Sequence, residues 1–233
     1  MTAGINVQFH TFPDAETLNQ ALATDIAADL KAGTATHGKA SLIVSGGSTP
    51  KPMFQKLRAM ELPWKDIFLT MADERWVPVD SEDSNTRLIQ ENLVTDGVNF
   101  ITLKNDAATP EAGVAACREA LSVIPRPFDV VVLGMGNDGH TASLFPGASH
   151  LAAALDPASA EVVSAMYPGH APHPRMTLTF AELMKARKII LHITGAQKKE
   201  VYDRAIAPGP VEEFPIRAFL YQKQVPVHVY WHA

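Results

Sequence analysis

Asp138-Gly139-His140 is the triplet in this 233-residue chain most suited to acid–base chemistry. A neutral imidazole, with an ordinary pKa of ~6.5, takes up a proton near neutral pH. A carboxylate two residues away can orient the ring and offset the imidazolium charge. The glycine between them lets the backbone turn sharply. The triplet predicts a general base; a capping or hydrogen-bonded structural histidine is the plainer alternative.

Ser45-Gly46-Gly47-Ser48-Thr49-Pro50 offers a different chemistry. Its two glycines let the backbone approach a ligand closely. A helix beginning just after them presents free N–H groups and the positive end of its dipole. With three hydroxyls added, the segment predicts a cradle for phosphate or carboxylate. The alternative is a tight turn with a Ser/Thr N-cap and proline in the first turn. The pattern is not a Walker loop, because no G-x-x-x-x-G-K-[ST] is present.

Asp73-Glu74-Arg75-Trp76 sets two carboxylates beside a guanidinium. The arginine fork suits phosphate or carboxylate, and a surface ion-pair cluster is an equal alternative. Arg175 and Lys198 form a fourth polar set. Gly134-Met135-Gly136-Asn137-Asp138-Gly139 matches G-x-G-x-x-G literally. Its mid-chain position and the Pro146-Gly147 interruption argue against a dinucleotide site, which needs the pattern to open a helix of an early βαβ unit. His170 and His173 sit among prolines with no third clustered ligand, so they predict a loop over or beside a cleft and no metal site.

The elements that must position these residues alternate between strand and helix. Strands are predicted over 7–11, 40–44, 67–72, 129–133, 162–166, 188–194 and 227–230. Asp14 is a candidate N-cap for a helix to Lys31 ended by Gly33, with Leu18, Leu22, Ile26 and Leu30 on one stripe. Further helices are predicted over 50–60, 85–94, from 110, and over 196–207. Cys117 falls on the core face of the helix from 110, with Val114, Leu121 and Ile124. Apolar strands alternating with helices predict a doubly wound, mostly parallel α/β sheet flanked by helices. No linker or repeat breaks the chain, so a single domain over 1–233 is expected. Three of the polar segments then fall at the C-terminal ends of strands, where such sheets bind ligands.

Composition bounds the function. The hydrophobic fraction is 46%, the charged fraction 19% and the net charge −5, values of an ordinary soluble domain. Twenty basic residues against 25 acidic ones, with no basic cluster, exclude a general nucleic-acid binder. No apolar stretch is long enough for a membrane span, and residues 1–12 lack a signal-peptide pattern. A single cysteine excludes an internal disulfide and fits the cytoplasm.

In these segments the sequence resembles the 6-phosphogluconolactonase family. SGGSTP at 45–50, DERWVP at 73–78, GMGNDGHTASLFPG at 134–147, and the blocks at 175–179 and 195–198 stand in family order and spacing. The resemblance implies the fold shared with glucosamine-6-phosphate deaminase. It implies hydrolysis of 6-phospho-D-glucono-1,5-lactone in the oxidative pentose phosphate pathway. His140 then matches the catalytic base, with Asp138 beside it and Arg75 against substrate. Ser45, Gly46, Gly47, Ser48, Thr49, Asp73, Arg175 and Lys198 match substrate- and phosphate-binding positions. No cofactor or metal is implied, and the partner is a small sugar-phosphate lactone, acted on by a monomer or weak homo-oligomer. Deaminases carry a carboxylate before the proline of the third block; here that place is Phe145, which favours hydrolysis over ring-opening chemistry. A non-catalytic sugar-phosphate sensor on the same fold is the alternative of another class, and it would need a DNA-binding segment that the sequence does not suggest.

Overall fold

Short aliphatic runs become the strands of the computed structural model, which describes residues 7–233. Part of the stretch without a signal-peptide pattern, residues 1–6, lies outside the described residues. The first half of the chain forms β1 (Val7–Phe12), α1 (Ala15–His37), β2 (Ala40–Val44), α2 (Lys51–Arg58), β3 (Ile67–Met71), β4 (Asp73–Arg75), α3 (Asn85–Asn92), β5 (Asn99–Phe100) and α4 (Pro110–Leu121). The second half forms β6 (Val130–Leu133), α5 (Leu151–Leu155), β7 (Val163–Met166), β8 (Arg175–Leu178), α6 (Phe180–Leu183), β9 (Ile189–Thr194), α7 (Ala196–Ala205), α8 (Ile216–Tyr221) and β10 (Val227–His232).

Seven strands pair in the order β1-β10-β9-β6-β2-β3-β5, all in parallel. β2, β3 and β6 are buried at every residue, which is why they read as unbroken apolar runs. From β2 the chain steps outward through β3 to β5, then returns to β6 on the other flank of β2. The strand order therefore reverses between β2 and β6, and a crevice opens beyond their C-terminal ends. The loops after these strands are residues 45–50 and 134–147. They are tied where they begin: Ser45 N donates to Val132 O at 3.0 Å, and Gly134 N to Ser45 Oγ at 3.3 Å.

A second, antiparallel sheet, β4-β8-β7, stands beside the first. The sequence ends a strand at Ala72 and sets Asp73-Glu74-Arg75 at its mouth; the structure makes 73–75 a strand of its own. Ala72 still donates to Val44 O of the parallel sheet (2.8 Å), but its carbonyl accepts from Leu178 N (2.8 Å). The chain changes partner at this residue, so 73–75 forms its own strand. One hydrophobic core joins both sheets, from Leu42 and Val131 to Met166 and Met176. Among the described residues no helix is long and apolar enough to cross a membrane.

Helix α1 also departs from expectation. Asp14 caps it as predicted, accepting from Thr17 N at 2.7 Å. The helix passes through Gly33 and ends at Gly38, whose φ of 73° is left-handed. Gly33 serves close packing instead. A Cβ there would lie 2.5 Å from Asp129 Oδ1 and 3.1 Å from Ala40 Cβ. Asp129 is occupied in turn, since its Oδ2 accepts from Ser41 N at 2.8 Å. Cys117 is buried on α4 as its spacing predicts, and burial pushes its thiol up to about 11, leaving it unreactive at neutral pH.

Gly33→Val should therefore cost about 1–3 kcal/mol of stability by overpacking α1 against the sheet. Chemical denaturation measures this, and an unchanged midpoint would mean that α1 does not press on Asp129.

Candidate active site

The loop after β2 shows why its hydroxyls are available. α2 begins with Pro50 at the N-cap and no side-chain cap hydrogen bond, so Ser48 and Thr49 are not spent as caps. The chain does turn here, with Lys51 N on Ser48 O at 3.4 Å, but the Ser/Thr N-cap of the alternative reading is absent. Gly46 is pressed against the start of α3, where a Cβ would land on the Asn85 side-chain amide. Asn85 Nδ2 donates in turn to Asp73 O at 2.8 Å, which ties this loop to β4.

The two carboxylates of β4 are buried and do different work. Glu74 is 0% exposed. Its oxygens accept from the N–H groups of Arg75 (2.7 Å), Asn85 (2.8 Å) and Thr86 (2.7 Å), and from the hydroxyls of Ser84 (3.3 Å) and Thr86 (2.6 Å). It thus satisfies the free donors at the start of α3, where a negative charge is stabilised. Asp73 Oδ2 accepts from Ser143 Oγ at 2.5 Å and stands 4.0 Å from Arg175 Nη1. Burial rules out the surface ion-pair cluster.

Arg75 and Arg175 face each other across the β4–β8 ladder. Like charges directly opposite cost stability, so both guanidiniums are held by neighbours. Arg75 Nη1 donates to Asp83 O at 2.6 Å, and Arg175 Nη2 to Pro172 O at 3.2 Å. The Nε–H of each is buried without a partner. Burial lowers the pKa of Arg175, the charge of Asp73 opposes that, and Arg75 lowers it again. An arginine remains charged at neutral pH regardless. The pair is a cationic site suited to an anion.

The loop after β6 folds tightly on itself. Gly136 N donates to His140 O at 2.8 Å, and Thr141 Oγ1 to Gly134 O at 2.8 Å. Asp138 Oδ1 lies 2.5 Å from His140 Nδ1, and Oδ2 lies 2.8 Å from His170 Nε2. A carboxylate only accepts, so Nδ1 carries a proton, and in the neutral imidazole Nε2 of His140 is the nitrogen with a lone pair. Burial alone would raise the pKa of Asp138. The hydrogen bonds and charge of His140, with the His170 hydrogen bond, outweigh it and hold the carboxyl well below the usual range. Phe145 stacks on the imidazole of His140 with ring centroids 4.0 Å apart. No helix opens at Gly139, and α5 starts only at Leu151, so the G-x-G-x-x-G match has no phosphate-binding helix behind it.

These pieces meet in one cavity of about 280 Å³. Ser45, Gly46, Gly47, Ser48, Thr49, Asp73, Arg75, His140, Arg175 and Lys198 all line it. Asp138 stands behind His140. Lys198 enters from the first turn of α7; burial lowers its pKa, opposed by the charge of Asp138. Asn85 and His192 are among the lining residues that escaped the sequence reading. Asn85 had only its place at a helix start as a signal. His192 lies on β9, 3% exposed, with both ring nitrogens unpartnered. A histidine inside the apolar run IILHIT was its signal. Burial, with the charge of His232, pushes its pKa down to about 4, so it is a neutral polar group in the cavity wall.

Residues 13–231 match the model of the family of glucosamine-6-phosphate isomerases and 6-phosphogluconolactonase. The chain belongs to this family. A 6-phosphogluconolactonase of Rhizobium meliloti is 44% identical over 230 residues, covering 97% of this chain and 99% of that relative. The crystal structure of a 6-phosphogluconolactonase from Shewanella baltica superposes with a TM-score of 0.96 at 45% identity, over 99% of this chain and 100% of that one. A monomeric glucosamine-6-phosphate deaminase, 17% identical, shares the fold with a TM-score of 0.79 over 97% of each chain. Within the family the chain stands with the 6-phosphogluconolactonases and is an enzyme of that kind.

His192 generates a pH prediction. Unfolded, its imidazole titrates near 6.5; folded, near 4. Between these values the unfolded chain binds more protons, so stability falls as pH drops below about 6.5. From pH 7.5 to 5 this one group should account for a loss of about 2 kcal/mol. His192→Gln should lack that part of the acid sensitivity in denaturation at the two pH values. Equal acid sensitivity in both proteins would show that His192 is accessible to protons when folded.

Proposed function

We propose that the protein hydrolyses 6-phospho-D-glucono-1,5-lactone to 6-phospho-D-gluconate, with His140 as the base that activates water. One observation carries the proposal: an imidazole backed through Nδ1 by Asp138 at 2.5 Å shares one cavity with the amides and hydroxyls of 45–49 and three cationic side chains. The loop, Arg175 and Lys198 grip the phosphate and carry the lactone carbonyl to His140. Remote binding energy thereby orients the reacting carbon. His140 takes a proton from water as the oxygen attacks C1. Asp138 offsets the new positive charge, and the imidazolium returns the proton to the departing ring oxygen. Asp73 positions Arg175. Arg75 serves either the phosphate or the developing oxyanion, and the loss in Arg75→Lys separates them by falling on KM or on kcat.

Phe145 supports hydrolysis over isomerisation. An aromatic ring stacked on His140 stands where ring-opening chemistry needs a carboxylate. The proposal extends to a cytoplasmic enzyme of the oxidative pentose phosphate pathway, monomeric or weakly self-associating.

The direct test follows acid release from freshly made 6-phosphogluconolactone, above the spontaneous rate, beside the unphosphorylated lactone. The phosphorylated substrate should be strongly preferred, and equal rates would remove the anion site from the mechanism. His140→Ala should lower kcat by about 10²–10⁴-fold; full activity would exclude it as the base. Thr49→Ala and Lys198→Ala should chiefly raise KM, as loss of uniform phosphate binding does.

A further inference from the structure

We propose that His170 is a positioning residue for this reaction: from the loop between β7 and β8 it grips the second oxygen of Asp138 and so sets the orientation and basicity of His140. The inference rests on the lactonase reading of His140. Its geometry is an imidazole–carboxylate–imidazole chain, with Nδ1 of His140 on Oδ1 at 2.5 Å and Nε2 of His170 on Oδ2 at 2.8 Å. Phe145 packs both rings, face to face with His140 at 4.0 Å and edge-on to His170 at 5.6 Å. Neither the loop's sequence nor the mechanism above requires a second imidazole on this carboxylate.

The loop that carries His170 is fastened on both sides of the cleft. At its far end His173 Nε2 bonds to Asp83 Oδ2 at 3.0 Å, and the carbonyl of Asp83 accepts from Arg75 Nη1. Between the two histidines the carbonyl of Pro172 accepts from Arg175 Nη2. His173 has a φ of 70°, a left-handed conformation uncommon for a residue other than glycine. The surrounding contacts therefore hold the loop in a conformation it would not favour alone.

Asp138 needs such an anchor. Its side chain is 32% exposed, so water competes for its oxygens. Held by His140 alone, the carboxylate can rotate and release Nδ1–H; with Oδ2 also fixed, its plane is set, and with it the ring of His140 in the cavity wall. The titratable groups facing Asp138 are His140 on its own loop, His170 on the loop above, and Lys198 on α7. His170 faces Asp138 and Phe145, while His173 on the same loop is turned to Asp83. Because His170 draws on the same negative charge, it also moderates the basicity of His140. Truncating it leaves the carboxylate to His140 alone, so the protonated form of His140 is favoured and the acid limb of kcat/KM moves to higher pH.

The test compares His170→Ala and His170→Gln with the parent enzyme, beside His140→Ala, using 6-phosphogluconolactone. His170→Ala should lower kcat by about tenfold, a part of the ~10²–10⁴-fold contribution of a positioned general base, with KM little changed. Its acid limb should move up by about 0.5 pH unit. Gln, which keeps an N–H donor, should restore most of kcat. In an Asp138→Asn background the His170→Ala effect should vanish, as coupling through that carboxylate requires. The 15N shifts of His140 should report an unprotonated Nε2 in the parent and mixed tautomers in His170→Ala. Parental kcat and pH profile in His170→Ala overturn the proposal. A rise in KM at constant kcat also overturns it, by making His170 a substrate contact. An inactive His140→Ala beside a fully active His170→Ala defeats this inference alone; an active His140→Ala defeats the base assignment and this inference with it.

Discussion

β2 and β6 pair in parallel over three residues, from Leu42 opposite Val130 to Val44 opposite Val132, and they end side by side. Both strands are fully buried, so a slip of one residue would force each side chain into the packing of the opposite face. The pairing therefore fixes where the two following loops begin. Ser45 completes the lock, with its N–H on Val132 and its hydroxyl receiving Gly134. Residues 45–50 and 134–147 are 89 positions apart at that hydrogen bond, yet they form opposite lips of one cavity. A parallel sheet achieves this because the order reversal leaves no crossover helix between the two strand ends.

The small antiparallel sheet adds the cations. It places Arg75 opposite Arg175, an arrangement that is unfavourable in isolation. Asp73, Glu74 and backbone carbonyls offset the concentration of charge. Glu74 contributes most to the scaffold: five donors converge on a carboxylate with no exposure, which joins β4 to the start of α3. Removing one partner from such a network leaves a buried charge or donors unpaired, a far larger penalty than loss of an exposed pair. The polar groups of the site are thus held before a ligand arrives, as electrostatic stabilisation of a reacting group requires.

His140 and His192 show how burial divides histidines. Both line the cavity. His140 lies on a polar loop, 29% exposed at its side chain, with a carboxylate on one nitrogen. His192 sits within an apolar strand with no partner for either nitrogen, and desolvation keeps it neutral. The same side chain is thus suited to proton transfer in one place and to uncharged polar contact in the other.

By itself the sequence determined, among the described residues, six of the seven parallel strands, five of the eight α-helices and about half of the cavity wall, but not β4, β5, β8, α5, α6 or α8. Continuous apolar strands, the Asp14 cap and the glycine- and hydroxyl-rich segments are local signals, written within a few residues of where they act. The end of α1 was misplaced at Gly33 because a glycine that stops a helix and one that admits a neighbour look alike until Asp129, nearly a hundred residues away, is in position. Whether Asp73 and Glu74 were surface charges or buried anchors, whether 73–75 joined a second sheet, and which residues His170 and His192 would face were decided only by the tertiary structure. Each depends on what packs against the residue from distant parts of the chain, and a side chain's burial and partners are properties of that packing rather than of its neighbours in sequence.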